Sequence, residues 1–436
     1  MMKCVLAVCT IAAALSPAAG LAKDAPMFRT DAMHHGVYAS QAPTLRTVKW
    51  RFHTKARIVS SPAVAGGVVY IGSNDGNLYA VRAADGSPVW TFATKGAVSS
   101  SPAVSNGMVF VSSLDGNVYG IDASSGKERW RFKTGGERRF TAPGIHGIMP
   151  RTELMPDPYD IFLSSPAVSG GIVYVGSGDH NVYAIDAANG TLRWKFATGN
   201  VVHASPAVWD DTVYIGSWDR YFYALDAHSG AVRWKFATGE DRTFYNQVGI
   251  ASSAAVSGGT VYFGCRDSHL YALDASSGAL RWKHDEHGSW VIASPAIFDG
   301  AVFYTTSDEK KFFALSARTG NERFSVPYTA FSFSSPAVAG GVAYYGAFDG
   351  MLYAIDTRTG NVTAQFQTDG SKRNLPAYLD AHGKLDLRLI YPDGTLDGII
   401  VGLSRLYSLG SIVGSPAIVD GVLFVGSTDG TLYALT

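Results

Sequence analysis

The chain has 436 residues, with 36 Lys and Arg against 36 Asp and Glu. A balance of that kind leaves no basic stripe, which argues against nucleic acid as a partner. Hydrophobic residues make up 47% and there are 48 glycines, material for many short strands and tight turns.

In chain order, residues 1–22, "MMKCVLAVCTIAAALSPAAGLA", carry one Lys, then an apolar run ending in small residues. This reads as a secretory signal peptide cleaved after Ala22, not as part of the fold. Lipidation of Cys9 is the weaker reading, because Val8 is a poor residue before a lipidated cysteine. Export would place the mature protein in the periplasm or outside the cell. Cys4 and Cys9 leave with the signal, so Cys265 stands alone and no intramolecular disulfide is expected. No later run reaches the ~18 consecutive apolar residues of a transmembrane helix. Residues 23–43 form an N-terminal extension.

From residue 44 to 436 the chain repeats. The unit reads S-S-P-A-V, a G-G or D-G turn, V-V-Y-I-G-S-x-D-G-x-L-Y-A-x-D-A-x-x-G-x-x-x-W-x-F. Its Ser-Pro step recurs at Pro62, Pro102, Pro166, Pro206, Pro295, Pro336 and Pro416, and Ala254 holds the proline slot of one further copy. Each unit holds four short runs rich in Val, Ile, Tyr and Trp, parted by hairpin-turn residues. Four antiparallel strands per ~40 residues, eight times over, specify an all-β, eight-bladed β-propeller. The ends explain the closure. "STDGTLYALT" stops after three strands, and "VKWRF" at 48–52 is a fourth strand with no unit before it. One blade built from both ends of the chain seals the ring.

Trp50, Trp90, Trp130, Trp194, Trp234 and Trp282 share one slot of the unit; Phe324 fills it in the sixth unit and Ala364 in the seventh. An aromatic there is expected to pack on the next blade, a burial that stabilises by roughly 2–3 kcal/mol each. The recurrent Asp of "S-x-D-G" reads as turn chemistry rather than calcium ligation.

"AIDAANGTLRW" and "ALDASSGALRW" resemble the tryptophan-docking repeat of quinoprotein-like (PQQ-like) propellers, and the resemblance covers nearly all of 44–436. "PMFRTDAMHHGVY" at 26–38 is similar to an N-terminal segment of bacterial PQQ-like repeat proteins. The family implies eight blades. It includes PQQ-dependent alcohol dehydrogenases and non-enzymatic propellers, one of them an outer-membrane assembly lipoprotein. The dehydrogenases typically cover PQQ with a disulfide of adjacent cysteines, and no Cys-Cys pair occurs here. C-x-x-C-H for a c-type haem is absent, and no motif places their calcium ligands or catalytic Asp.

Propeller topology puts the connections between blades and the turns between second and third strands on one face. Every long departure from the period is such a connection: 135–163, 239–251, 284–292 and 369–413. Grafted loops on one side of a rigid frame are where binding resides. The candidate surface is Arg139, His146, His203, Trp218, Tyr245, Asn246, Gln247, Arg266 and Trp290. The plainer reading is that these side chains only pack the loops together. "HDEH" at 284–287 and His34-His35 carry ligand-type residues without a tetrahedral set, so no metal site is assigned. Cys265, in a slot otherwise small, reads as a buried thiol. Within 371–410, "KLDLRLIY" alternates and reads as a hairpin. "GIIVGLSRLYSLG" needs cover from 135–163 or from a partner.

The expected function is an exported, monomeric binding or assembly scaffold that holds a protein or small-molecule ligand on the long-loop face. The alternative is a PQQ-dependent oxidoreductase of alcohols or sugars, with PQQ and Ca2+ in a non-standard site.

Overall fold

The computed structural model describes residues 24–150, 152–240 and 248–436; the signal-peptide reading of 1–22 lies outside them. Eight four-stranded antiparallel sheets surround an axis. We number the blades by their innermost strands: Ala63–Ala65, Ala103–Ser105, Ala167–Ser169, Ala207–Trp209, Ala255–Ser257, Ala296–Phe298, Ala337–Ala339 and Ala417–Val419. Each innermost strand touches the next, and the last touches the first. Blade 8 closes as the sequence implies. Val48–His53 pairs antiparallel with Thr431–Leu435, with Val48 opposite Leu435 and His53 opposite Thr431.

Two devices hold the axis. The first is a ring of serines, one per blade, at the residue before the proline step. The backbone N–H of Ser61 donates to Ser101 Oγ, Ser101 to Ser165, Ser165 to Ser205, Ser205 to Ser253, Ser253 to Ser294, Ser294 to Ser335, Ser335 to Ser415 and Ser415 back to Ser61, all at 2.8–3.1 Å. A buried donor left unmet would cost free energy, and this circuit meets all eight.

The second device is the N-terminal extension, which closes the axis at the short-turn end. Innermost strands have one free edge. Backbone carbonyls of Ala25, Pro26, Ala32, Met33, His35 and Gly36 accept from Val64, Val104, Val208, Val256, Ile297 and Val338 on six blades. Val37–Tyr38 adds a parallel strand to blade 7. Arg29 is buried and donates to the carbonyls of Pro336 at 3.0 Å and Pro295 at 2.7 Å. Burial pulls its guanidinium pKa down to about 10. The "PMFRTDAMHHGVY" segment is therefore a plug that satisfies strand edges.

Between blades, each indole N–H donates to an alanine carbonyl of the next blade: Trp50 to Ala83, Trp90 to Ala123, Trp130 to Ala187, Trp194 to Ala227, Trp234 to Ala275 and Trp282 to Ala317, at 2.8–3.0 Å. A β-bulge beside this slot in the outer pair of every blade re-aims the side chain. The ring lies against the turn glycine of that next blade. At Gly86, φ is 74° and a Cβ would come within 2.7 Å of Trp50.

The "S-x-D-G" aspartates are structural. Asp75 accepts from Lys55 N, Asn77 N and Tyr79 Oη at 2.8–3.0 Å. It thereby ties its turn to the strand end of the preceding blade, and Asp115, Asp179, Asp219 and Asp267 repeat the arrangement.

Candidate functional site

The long connections gather on one face, where they build a second apolar core over the axial mouth. It joins Phe140, Ile145, Ile148 and Met155 of the 135–163 insertion to Ile399, Leu403 and Leu406 of the 369–413 insertion. Turn residues Trp218 and Phe348 and connection residue Trp290 belong to the same cluster. The first insertion is a hairpin, Thr141–Pro143 against Leu154–Pro156. The second is helical. Asp386 caps Leu387–Ile390 and Thr395 caps Leu396–Ser408 by accepting from Gly398 N. The hairpin expected of "KLDLRLIY" is thus corrected. Asp386 accepts the Arg388 N–H and Ile390 turns into the core, so capping and tertiary packing override the alternation. The apolar stretch "GIIVGLSRLYSLG" finds its cover on the 135–163 insertion, as one of the two expected covers.

Three of the candidate residues form one knot. The Arg266 guanidinium lies between two indoles, 4.3 Å from the Trp218 ring and 4.1 Å from the Trp290 ring. Its Nη1 donates to Asp157 of the insertion. Phe140 stacks on Trp218 at 4.4 Å. Arg266 is 2% exposed, Trp218 1% and Trp290 5%, so they act as the core of the cap and present no open surface. A cation between two π faces and beside a carboxylate is a strong anchor in a dry setting.

His203 enters at the start of blade 4 and meets two carboxylates of the same insertion. Nδ1 lies 2.7 Å from Asp160 Oδ1 and Nε2 lies 3.6 Å from Glu137 Oε2. Asp160 also accepts from Phe140 N, and Glu137 from Ser177 Oγ and Gly178 N. Burial alone would disfavour the imidazolium, but the two carboxylates outweigh it and push the pKa up to about 10. The folded protein thus retains a proton that an unperturbed histidine loses near 6.5. The stabilisation is complete below about pH 6.5 and drains away as pH rises toward 10. Urea midpoints measured across that window should fall with pH in the wild type, and His203→Gln should flatten the fall.

Arg139 is exposed on the insertion, and His146 lies in the turn Ile145–Gly147 of the same insertion. Tyr245, Asn246 and Gln247 lie outside the described residues. Sequence reading passed over the partners: Glu137, Asp157 and Asp160 fix His203 and Arg266, and the only signal was acids clustered in an insertion. It also passed over Arg57 and Arg138. These two, with Arg139, line a cavity of about 380 Å3 between the first insertion and the helix Leu396–Ser408.

The axial mouth does not fit a calcium-bound quinone. Phe162, Leu163, Phe333 and Val413 line it with the serine ring and Phe28, and the space among them is about 50 Å3. Among the described residues no group of three or more His, Cys, Asp or Glu could hold a metal ion. The nearby carboxylates are already bound to His203, Arg266 and backbone N–H groups. In "HDEH", Glu286 is buried, accepts from Tyr304 and is pushed up to about 8, chiefly by burial. His34 and His35 engage Ala254 O and Asp31. The Cys265 thiol is buried and its pKa is raised well above the ordinary value, chiefly by burial, the opposite of an activated nucleophile.

Fold and site define a closed eight-bladed propeller whose inter-blade insertions cap one face. The family model described as outer membrane protein assembly factor BamB matches residues 36–145, 151–289 and 284–382, and the chain belongs to that family of PQQ-like repeat propellers. Among solved structures it is similar to BamB from Moraxella catarrhalis, with TM-score 0.64 and 16% identity over 89% of this chain and 98% of that one. It is also similar to a europium-containing methanol dehydrogenase, with TM-score 0.67 and 16% identity over 93% and 90%. A third is quinohemoprotein alcohol dehydrogenase from Comamonas testosteroni, with TM-score 0.69 and 14% identity over 95% and 81%. No curated protein matches the chain significantly. At these identities the structural likeness establishes the fold.

Proposed function

We propose that the protein is an exported scaffold, monomeric by itself, that holds a partner protein on its long-loop face. One observation carries the reading. Among the described residues, exposed large apolar side chains concentrate on the two insertions: Met149 at 59%, Leu154 at 69%, Ile400 at 50%, Leu389 at 44% and Val401 at 41%. On the blades themselves such residues are spaced singly, as Val89, Leu192, Val232, Leu280 and Val362 on outer strands and Leu114 in a turn. Apolar surface gathered on a rigid, capped face suits protein contact. Export is motivated by the signal-like 1–22, and no described helix is long and apolar enough to cross a membrane. The structural likeness to an outer-membrane assembly factor supports the same reading.

Photo-crosslinkers placed at Leu154 and Ile400 should give discrete protein adducts in the producing cells, while those at Val232 and Leu280 should not. Equal labelling from both sets would sink the reading. So would a bound chromophore and dye reduction with alcohols on adding PQQ and Ca2+, which would favour the oxidoreductase instead.

A further inference from the structure

The cavity beside the cap has a charge balance unlike that of the whole chain, whose formal net charge is 0. Arg57 comes from the connection into blade 1, and Arg138 and Arg139 from the first insertion. All three are exposed, and none has a carboxylate partner among the described residues. Arg57 lies over the Tyr407 ring at 4.5 Å, which holds its guanidinium at the cavity wall. His203 lines the same cavity, with its buried Nε2 3.6 Å from Glu137 Oε2. The two acids of the lining, Glu137 and Asp160, are occupied by His203, Ser177 Oγ and backbone N–H groups. The surplus is therefore cationic. The lining also includes the apolar side chains of Phe162, Leu163, Ile400 and Leu403.

Unpaired arginines around a concave, partly apolar site suit carboxylates, because each guanidinium can give two parallel hydrogen bonds to one carboxylate. A volume of about 380 Å3 admits a ligand of a few residues or one compact small molecule. We infer that this cavity binds a ligand bearing two or more carboxylates on an apolar frame, engaged by Arg57, Arg138 and Arg139. The acid-rich apolar frame has two sources, a segment of a partner protein or a free small polycarboxylate. The inference rests on the long-loop face being a binding face. It adds the chemistry that face selects.

The test is calorimetry on the full chain with three probes: the hexapeptide Leu-Glu-Leu-Glu-Leu-Glu, its Gln-for-Glu counterpart, and citrate. The Glu peptide or citrate should bind, and the Gln peptide should not. Binding should weaken as salt rises from low to physiological ionic strength, since exposed charges are screened over about 8–10 Å. The variant Arg57→Ala/Arg138→Ala/Arg139→Ala should lose at least about tenfold in affinity, the loss expected when even one charge-assisted bidentate contact goes. Its Tm should stay near the wild-type value, because the three side chains are exposed. Binding of the Glu peptide but not citrate would assign the source to a protein segment; the reverse would assign it to a small acid. No heat from either at millimolar concentration, or unchanged binding in the triple variant, would overturn the inference. Crosslinked adducts at Ile400 together with that null result would leave the scaffold reading standing and remove only the carboxylate chemistry.

Discussion

Arg266→Ala is expected to lower the free energy of unfolding by about 3–5 kcal/mol, because it removes one member of a buried ion pair and leaves the other in a dry setting. Asp157 is fully buried and also accepts from Tyr159 N. The gap between Trp218 and Trp290 also loses its filling. The double variant Arg266→Ala/Asp157→Asn should recover a substantial part of the loss, since the buried charge is then neutralised. Urea unfolding followed by tryptophan fluorescence measures both. A loss below about 1 kcal/mol for the single change would mean that the pair is solvated.

Trp50→Ala should cost about 3–5 kcal/mol, the range for truncating a large buried aromatic. Trp50 is 8% exposed, donates to Ala83 O and covers Gly86. It stands in the strand that closes the ring, so the substitution weakens the junction between blades 8 and 1. Calorimetric unfolding of this variant beside Ala364→Gly gives an internal contrast. The second change should cost no more than about 1 kcal/mol, the helix and strand penalty for an extra glycine, because Ala364 carries no ring to lose.

That contrast shows what could be read in the sequence. Slots were legible because strand and turn chemistry repeat, so the eight blades, the shared blade and the common face of the insertions followed from spacing alone. Ala364 marked the seventh blade as degenerate, and the structure supplies the reason. Each aromatic packs on the turn between the third and fourth strands of the next blade, as Phe324 does on Gly360. In blade 8 those strands are Thr431–Leu435 and Val48–His53, joined by no turn. There is no glycine to receive an aromatic, and Leu45 shares the core with Ala364 instead.

The candidate site was legible in part. His203, Trp218, Arg266 and Trp290 stood out because they broke the repeat, and all four converge under the cap. Their burial could not be read, because it depends on insertions with no periodicity of their own. Asp157 and Asp160 find their partners across more than a blade, at a separation no local pattern encodes. The same limit explains "KLDLRLIY". Its alternation is real, yet the Asp386 cap and the burial of Ile390 decide the conformation.

The most direct measurement is a disulfide across the closing pair. In the variant His53→Cys/Thr431→Cys the two positions are register partners, and Thr431 Oγ1 already lies 3.2 Å from His53 Nδ1. Opposed residues of an antiparallel pair are about 4.5–5.5 Å apart at Cα, within reach of a disulfide. Oxidation of the folded protein should yield an intramolecular bridge in nearly every molecule, leaving the buried Cys265 thiol untouched. Two free thiols at those positions, or bridges only between molecules, would mean that the chain ends do not share a sheet, and the common face of the insertions would go with them.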